Sequence, residues 1–136
     1  MAKIIYFLLA ENCILDVGGR VSIVNIFHDI ISSGDEAVPP KFTVVIGLTP
    51  EKDDLKNNRI EFEVHITGPN GQDLMKAKGG GEVPKAKKGS DVVSPLDLSG
   101  KLKFDQDGQH KVKLFINGKK KTELSFRVKL NQAIAT

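Results

Sequence analysis

The chain holds a single cysteine, no tryptophan and only three histidines among 136 residues, and each shortage narrows what it can be. Cys13 alone cannot form an internal disulfide, which suits a reducing compartment. It has no neighbouring base in the sequence, and a packed, inert thiol is the ordinary outcome for such a residue. His28, His65 and His110 are far apart and lack the paired spacing of zinc ligands. No apolar run reaches the roughly 18–20 residues that a bilayer-spanning helix needs. Lys3 followed by Ile4–Ala10 imitates a short signal peptide. Its basic region is thin, however, and Glu11 and Asn12 stand where a small-x-small cleavage site belongs. Nor do small residues precede Cys13 as in a lipoprotein cleavage box. The segment is expected to be a buried first strand, and the protein cytoplasmic.

What the chain has in abundance is alternation. His110, Val112, Leu114 and Ile116 share one parity, as do Leu124, Phe126, Val128 and Leu130, with Asn117-Gly118 between the two runs. Successive side chains of a strand point to opposite faces, and Asn-Gly supplies the positive φ of a tight hairpin. Leu96, Leu98, Leu102 and Phe104 share a parity too, and Asp105-Gln106-Asp107-Gly108 follows as a turn. The expectation is a three-strand meander with one apolar and one charged face, which needs a second sheet against it.

The rest of the chain supplies that sheet. Lys3 to about Leu9 is apolar on both sides and reads as a central strand or one whose outer face meets a partner. Cys13-Ile14-Leu15 forms a short extension. Arg20–Ile31 reads as one long strand whose parity slips near Asn25, as a β-bulge would cause. Pro39-Pro40 closes a polar loop. Lys41–Leu48 turns Phe42, Val44, Ile46 and Leu48 inward. A charged loop follows, with room for one helical turn around Glu51–Leu55. Arg59–Thr67 alternates cleanly, and Gln72–Ala77 is a short strand. Residues 78–91, with Gly79-Gly80-Gly81, Pro84 and several lysines, are expected to be a flexible Gly/Lys-rich loop. The sum is one all-β domain over residues 1–136, an antiparallel two-layer β-sandwich of immunoglobulin-like type with about eight strands. A barrel is the alternative.

Chemistry is harder to find. His110 falls on an inward parity and reads as a structural histidine. Asp105-x-Asp107-Gly108 resembles the start of a calcium loop but lacks the closing ligands, so it reads as a turn. The triple glycine with Lys85, Lys87 and Lys88 has neither the Walker spacing nor a following helix, and reads as a solvated linker. No nucleophile–base or carboxylate pair is visible, so no enzymatic activity, metal or cofactor is expected. A cluster of Cys13, His28 and Asp29 would change that.

Net charge is +3 but uneven. Residues 1–68 hold six Lys/Arg against ten Asp/Glu, and residues 69–136 hold fourteen against seven. The simpler reading is lysines that solubilise strand faces and edges. The other is an anion or nucleic-acid footprint in the basic half, with Lys85, Lys87, Lys88, Lys119, Lys120 and Lys121 as contacts and Phe115 as the one outward aromatic for stacking.

Two stretches carry a resemblance. Ile5-Tyr6-Phe7-Leu8-Leu9-Ala10-Glu11, the run from Asp16 to Phe27 and Pro40-x-Phe42 open the chain. Leu98-x-Gly100-x-Leu102-x-Phe104, Gly108, Leu114, Asn117-Gly118 and Val128 close it. Together they resemble a family of small prokaryotic proteins of unknown function. The resemblance implies a sandwich and no activity. It also implies an aromatic where this chain has His110, and often a glycine where it has Asn25. The function expected from the whole sequence is a non-enzymatic protein-binding or scaffolding module, partnered or self-associating through a sheet edge, without membrane contact. A non-specific anion or nucleic-acid binder is the alternative.

Overall fold

The computed structural model describes residues 3–17, 20–51, 59–82 and 91–132. Nine strands follow in chain order: β1 (Lys3–Leu15), β2 (Val21–Ile26), β3 (Asp29–Ile31), β4 (Thr43–Thr49), β5 (Arg59–Thr67), β6 (Asp73–Glu82), β7 (Val92–Asp97), β8 (Gly108–Ile116) and β9 (Lys119–Lys129). They form a four-stranded sheet ordered β2-β1-β4-β7 and a five-stranded sheet ordered β3-β9-β8-β5-β6. The two pack as a β-sandwich, as the alternation requires.

The core lies where the inward parities meet. Val44, Ile46 and Leu48 of β4 face Ile60, Phe62, Val64 and Ile66 of β5, with Val112, Leu114 and Ile116 of β8 and Phe126 and Val128 of β9. Each is almost wholly buried, and burying such a side chain stabilises by about 1.5–3 kcal/mol. One end of the core is aromatic. Phe42, Phe104 and Phe126 sit with ring centroids 5.6–6.1 Å apart. His110 completes the group, 5.3 Å from Phe104 and 5.4 Å from Phe126. It is 1% exposed, and burial pushes its pKa down, so the ring is neutral at pH 7. A hydrogen bond of 3.0 Å joins its Nδ1 to the Gly108 carbonyl. This is the inward, structural histidine that its parity implies, in a slot that an aromatic ring also fits.

Several sequence expectations need correction. Leu96–Phe104 is not a strand. β7 ends at Asp97, Gly100 takes φ +72°, and Ser99 turns the chain by accepting the Phe42 amide on its Oγ. Leu98, Leu102 and Phe104 are buried all the same. Phe104 is held by paired 2.8 Å backbone bonds to Ala37. A loop that plugs the end of the sandwich has copied the parity of a strand.

The long strand expected over Arg20–Ile31 is two strands in two sheets. Asn25 adopts φ +54°, which few residues except glycine and asparagine tolerate. The expected irregularity is therefore there, and just beyond it the chain leaves one sheet for the other. β3 then runs parallel to β9, Asp29 opposite Arg127 and Ile31 opposite Lys129, so the sandwich is not wholly antiparallel.

β1 is longer than expected, since Cys13–Leu15 continues the same strand. Lys78–Glu82 is not loop either. It is the second half of β6, with Gly79 opposite Phe62 and Gly80 opposite Glu61. A Cβ on Gly79 would lie 2.5 Å from the Phe62 ring, so here glycine makes room for a core side chain. The rest of the expected loop, 83–90, and most of the helical turn around Glu51–Leu55 lie outside the described residues.

Candidate protein-binding face and edge

The two sheets have very different outer surfaces. β5, β6, β8 and β9 alternate apolar-in and polar-out, and they carry ten Lys or Arg against five Asp or Glu. β1, β2, β4 and β7 together carry only Lys3, Glu11 and Asp97. An antiparallel sheet with a solvated face ordinarily makes that face polar. Here the outward residues are Tyr6, Leu8 and Ala10 on β1, Val45 and Gly47 on β4, and Val93 and Pro95 on β7, brought side by side by register between the end pairs Lys3–Thr49 and Thr43–Asp97. Ala10 and Val45 are 0% exposed and the others buried or half-buried, so this face is apolar but only part of it reaches solvent. The Tyr6 ring lies over Gly47, where a Cβ would sit 2.4 Å from it.

At one corner this face continues into an arm. β1 pairs with β4 over Lys3–Ala10 and with β2 over Ala10–Leu15, so only Ala10 is flanked on both sides. The residues Glu11–Leu15 carry the β1–β2 hairpin about 17 Å past β4, at about 3.3 Å per residue. Its side chains are apolar on both faces, and Ile14, Leu15, Val24 and Ile26 are between 37% and 53% exposed, with Val17 fully exposed at the turn. The few charges on the arm are satisfied within it. Asp16 and Arg20 pair at 3.0 Å across the turn, and Glu11 accepts a hydrogen bond from Asn25 Nδ2.

The four strands that end the sheets are not alike, and among the described residues β1 also leaves Lys3–Leu8 unflanked on its β2 side. Sheets ordinarily discourage edge pairing with short strands, prolines, inserted charges or irregular backbone. β3 is three residues long and begins with Asp29. β7 contains Pro95. β6 carries Lys76, Lys78 and a positive-φ Gly80. β2, Val-Ser-Ile-Val-Asn-Ile, has no charge and no proline. Its one irregularity, at Asn25, leaves Val21–Val24 regular.

The lysines singled out from sequence fall elsewhere. Lys85, Lys87 and Lys88 lie outside the described residues. Lys119, Lys120 and Lys121 open β9 after the Asn117-Gly118 turn, whose φ values of +51° and +81° are those of the expected tight hairpin. Lys120 is tied to Glu123 at 3.2 Å, and this holds the Glu123 carboxyl below the usual range. Among the described residues Lys119 and Lys121 join no ion pair. Phe115 lies opposite Lys120 as its parity suggested. Its unexpected neighbour is His65, stacked at 4.3 Å between centroids, with Lys76 and Lys113 on the strands either side. The shared outward parity of His65 and Phe115 was visible in the sequence; the pairing of β5 with β8 was not. His65 Nε2 is buried and 2.9 Å from Glu63 Oε1, an ion-pair distance whose direction completes no hydrogen bond. The imidazole is the main influence that holds Glu63 below the usual carboxylate range. Further along this sheet, Arg59, Glu61, Glu63, Lys78 and Asn117 line an open groove of about 570 Å³ of mixed charge.

Cys13, His28 and Asp29 do not form a cluster. Cys13 pairs with Ile23 in one sheet and Asp29 with Arg127 in the other, and no hydrogen bond or ion pair joins them. Burial pushes the Cys13 thiol up, away from the thiolate form. Asp107 accepts the Leu130 amide, which makes it a turn clamp. Among the described residues no group of three or more His, Cys, Asp or Glu is placed to hold a metal ion. Among the described residues no helix is long and apolar enough to cross a membrane.

These features define a class: an all-β sandwich with one charged outer face and one uncharged face that ends in an apolar arm. The chain belongs to DUF6941, a family of unknown function, whose model matches residues 5–129. No curated protein matches the sequence.

Proposed function

We propose that this protein is a non-enzymatic protein-binding or scaffolding module, an immunoglobulin-like sandwich working in the cytoplasm through the outer face of the β2-β1-β4-β7 sheet and its β1–β2 arm. The observation that carries this reading is the unguarded β2 edge. The other terminal strands, β3, β6 and β7, are each blunted, whereas among the described residues β2 offers unpaired backbone groups with Val24 and Ile26 exposed on one side. Such an edge recognises a partner by adding a strand, with main-chain hydrogen bonds for affinity and side-chain rows for selectivity. The test is capture from a nuclease-treated extract by immobilised wild-type protein and by Ile26→Lys in parallel. A protein retained by the first and lost by the second supports the module; an identical set on both refutes it.

The opposite face favours a second reading. Lys76 and Lys113 flank the His65–Phe115 stack on a surface rich in cations, and such a surface attracts polyanions non-specifically. Glu61, Glu63, Asp73 and Glu123 lie among these lysines and dilute the field, so this reading ranks second. Binding of a single-stranded oligonucleotide that weakens steeply with salt, and is lost in Lys113→Glu, would move it to first.

A further inference from the structure

Resting on the protein-binding reading of the β2 edge, we propose that the occupant of that edge is a second copy of this chain, joined arm to arm about a twofold axis. An interface on a twofold axis must be self-complementary, because the same patch meets itself. Charged strands meet that condition only in registers that bring opposite charges together. β2 carries no charge, so antiparallel pairing with its own copy sets no like charges against each other. With the axis normal to the sheet, pairing centred on the regular part of β2 sets Ile23 opposite Ile23 of the second copy and Ser22 opposite its Val24. Side chains that meet in this way point to the same face, so Val24, Ile26 and Ile14 of both copies share one side of the joined sheet, with the uncharged Ser22 and Asn12 between them.

Two further observations select a copy of this chain as the partner. Of the arm's charges, Asp16 and Arg20 neutralise each other, whereas Glu11 keeps its charge and accepts a hydrogen bond from the Asn25 amide. Glu11 lies on the opposite side of β1 from Ala10, Asn12 and Ile14, so the side that carries Ile14, Val24 and Ile26 offers a charged foreign surface nothing beyond the closed Asp16–Arg20 pair. The cation excess sits on the other sheet, with ten Lys or Arg against five Asp or Glu. Association through the β2 edges keeps these like-charged faces apart, whereas association through the charged faces would oppose them. The exposed parts of Ile14, Val24 and Ile26 on one side of the arm, with Val17 at its tip, begin an apolar patch of the kind that marks interaction sites on monomers. The newly paired backbone and the flanking Tyr6–Leu8 surface extend it toward the roughly 800 Å² per partner of a stable interface.

The experiment is sedimentation velocity on the full chain from low to high micromolar, comparing wild type with Val24→Lys, with circular dichroism to confirm that both are folded. The inference expects a wild-type dimer and a dissociation constant raised about a hundredfold in Val24→Lys, because a cation from each copy enters an uncharged seam. In a Cys13→Ser background, Ile23→Cys should oxidise to a disulfide-linked dimer, whereas a surface cysteine at Ser125 should not. A wild-type chain that stays monomeric, or a dimer indifferent to Val24→Lys, overturns the inference. Its failure is separable from failure of the module reading. A monomer that still loses its captured protein in Ile26→Lys has a foreign partner on the same edge, and a dimer split by Lys113→Glu alone places the contact on the other sheet.

Discussion

Replacing His110 with phenylalanine should flatten the acid limb of the stability curve. The ring is 1% exposed, packed between Phe104 and Phe126, and burial disfavours its imidazolium form. The folded-state pKa therefore lies below the unfolded value of about 6.5. Between those two values the unfolded chain holds a proton that the folded chain rejects. Stability from this residue is complete above about pH 6.5 and falls as pH drops toward the folded pKa, with a slope of at most about 1.4 kcal/mol per pH unit for one proton. Below the folded pKa the loss levels off. The hydrogen bond to Gly108 O and the carboxylate of Asp105 oppose the shift without reversing it. Urea unfolding of wild type and His110→Phe from pH 8 to pH 5 measures the difference in slope, which is independent of any constant packing offset. The variant should lose less stability than wild type across the acid range. Parallel curves would mean that His110 is charged or solvated in the folded chain, and that the aromatic end of the core is misassigned.

Other outcomes follow from single contacts. Phe126→Ala removes a ring that touches Phe42, Phe104 and His110 and should cost about 3–5 kcal/mol in denaturant unfolding; a variant as stable as the parent would refute the sheet parity. Gly47→Ala forces a methyl into the Tyr6 ring and should cost about 1–3 kcal/mol, part of it restored when Tyr6→Leu is added. Asn25→Val places a β-branched residue at φ +54° and should cost about 1–3 kcal/mol, whereas Asn25→Gly, measured in the same melts, should be close to wild type.

How much was legible depended on whether contacts were local. β5, β8 and β9 were readable nearly to the residue, because one apolar face and a two-residue turn fix both parity and register. The inward His110 followed from the same alternation. Leu96–Phe104 misled because apolar spacing of two occurs in any segment that drops alternate side chains into a core, and only Ser99 and the positive φ of Gly100 mark it as a turn. The three glycines of β6 suggested a linker, because composition does not show that Gly79 yields its space to Phe62 across the sheet. The interaction edge was half visible. The unbroken apolarity of Ile4–Leu9 hinted at a covered outer face, but the length of the arm follows from where β4 starts, at Thr43, and that is a long-range fact. The His65–Phe115 stack was hidden for the same reason.

The proposed function places contacts on the apolar face and its arm rather than on the lysine-rich face. Hydrogen exchange of the associated state, whether concentrated protein or its captured complex, against the dilute chain tests it most directly. Amides of Val21–Val24 and the outer edge of the β1–β2 arm should gain protection on association, while β8 and β9 stay unchanged. Protection confined to Lys111–Phe115 and Lys119–Glu123, with the arm unaffected, would contradict it and make the charged face the working surface.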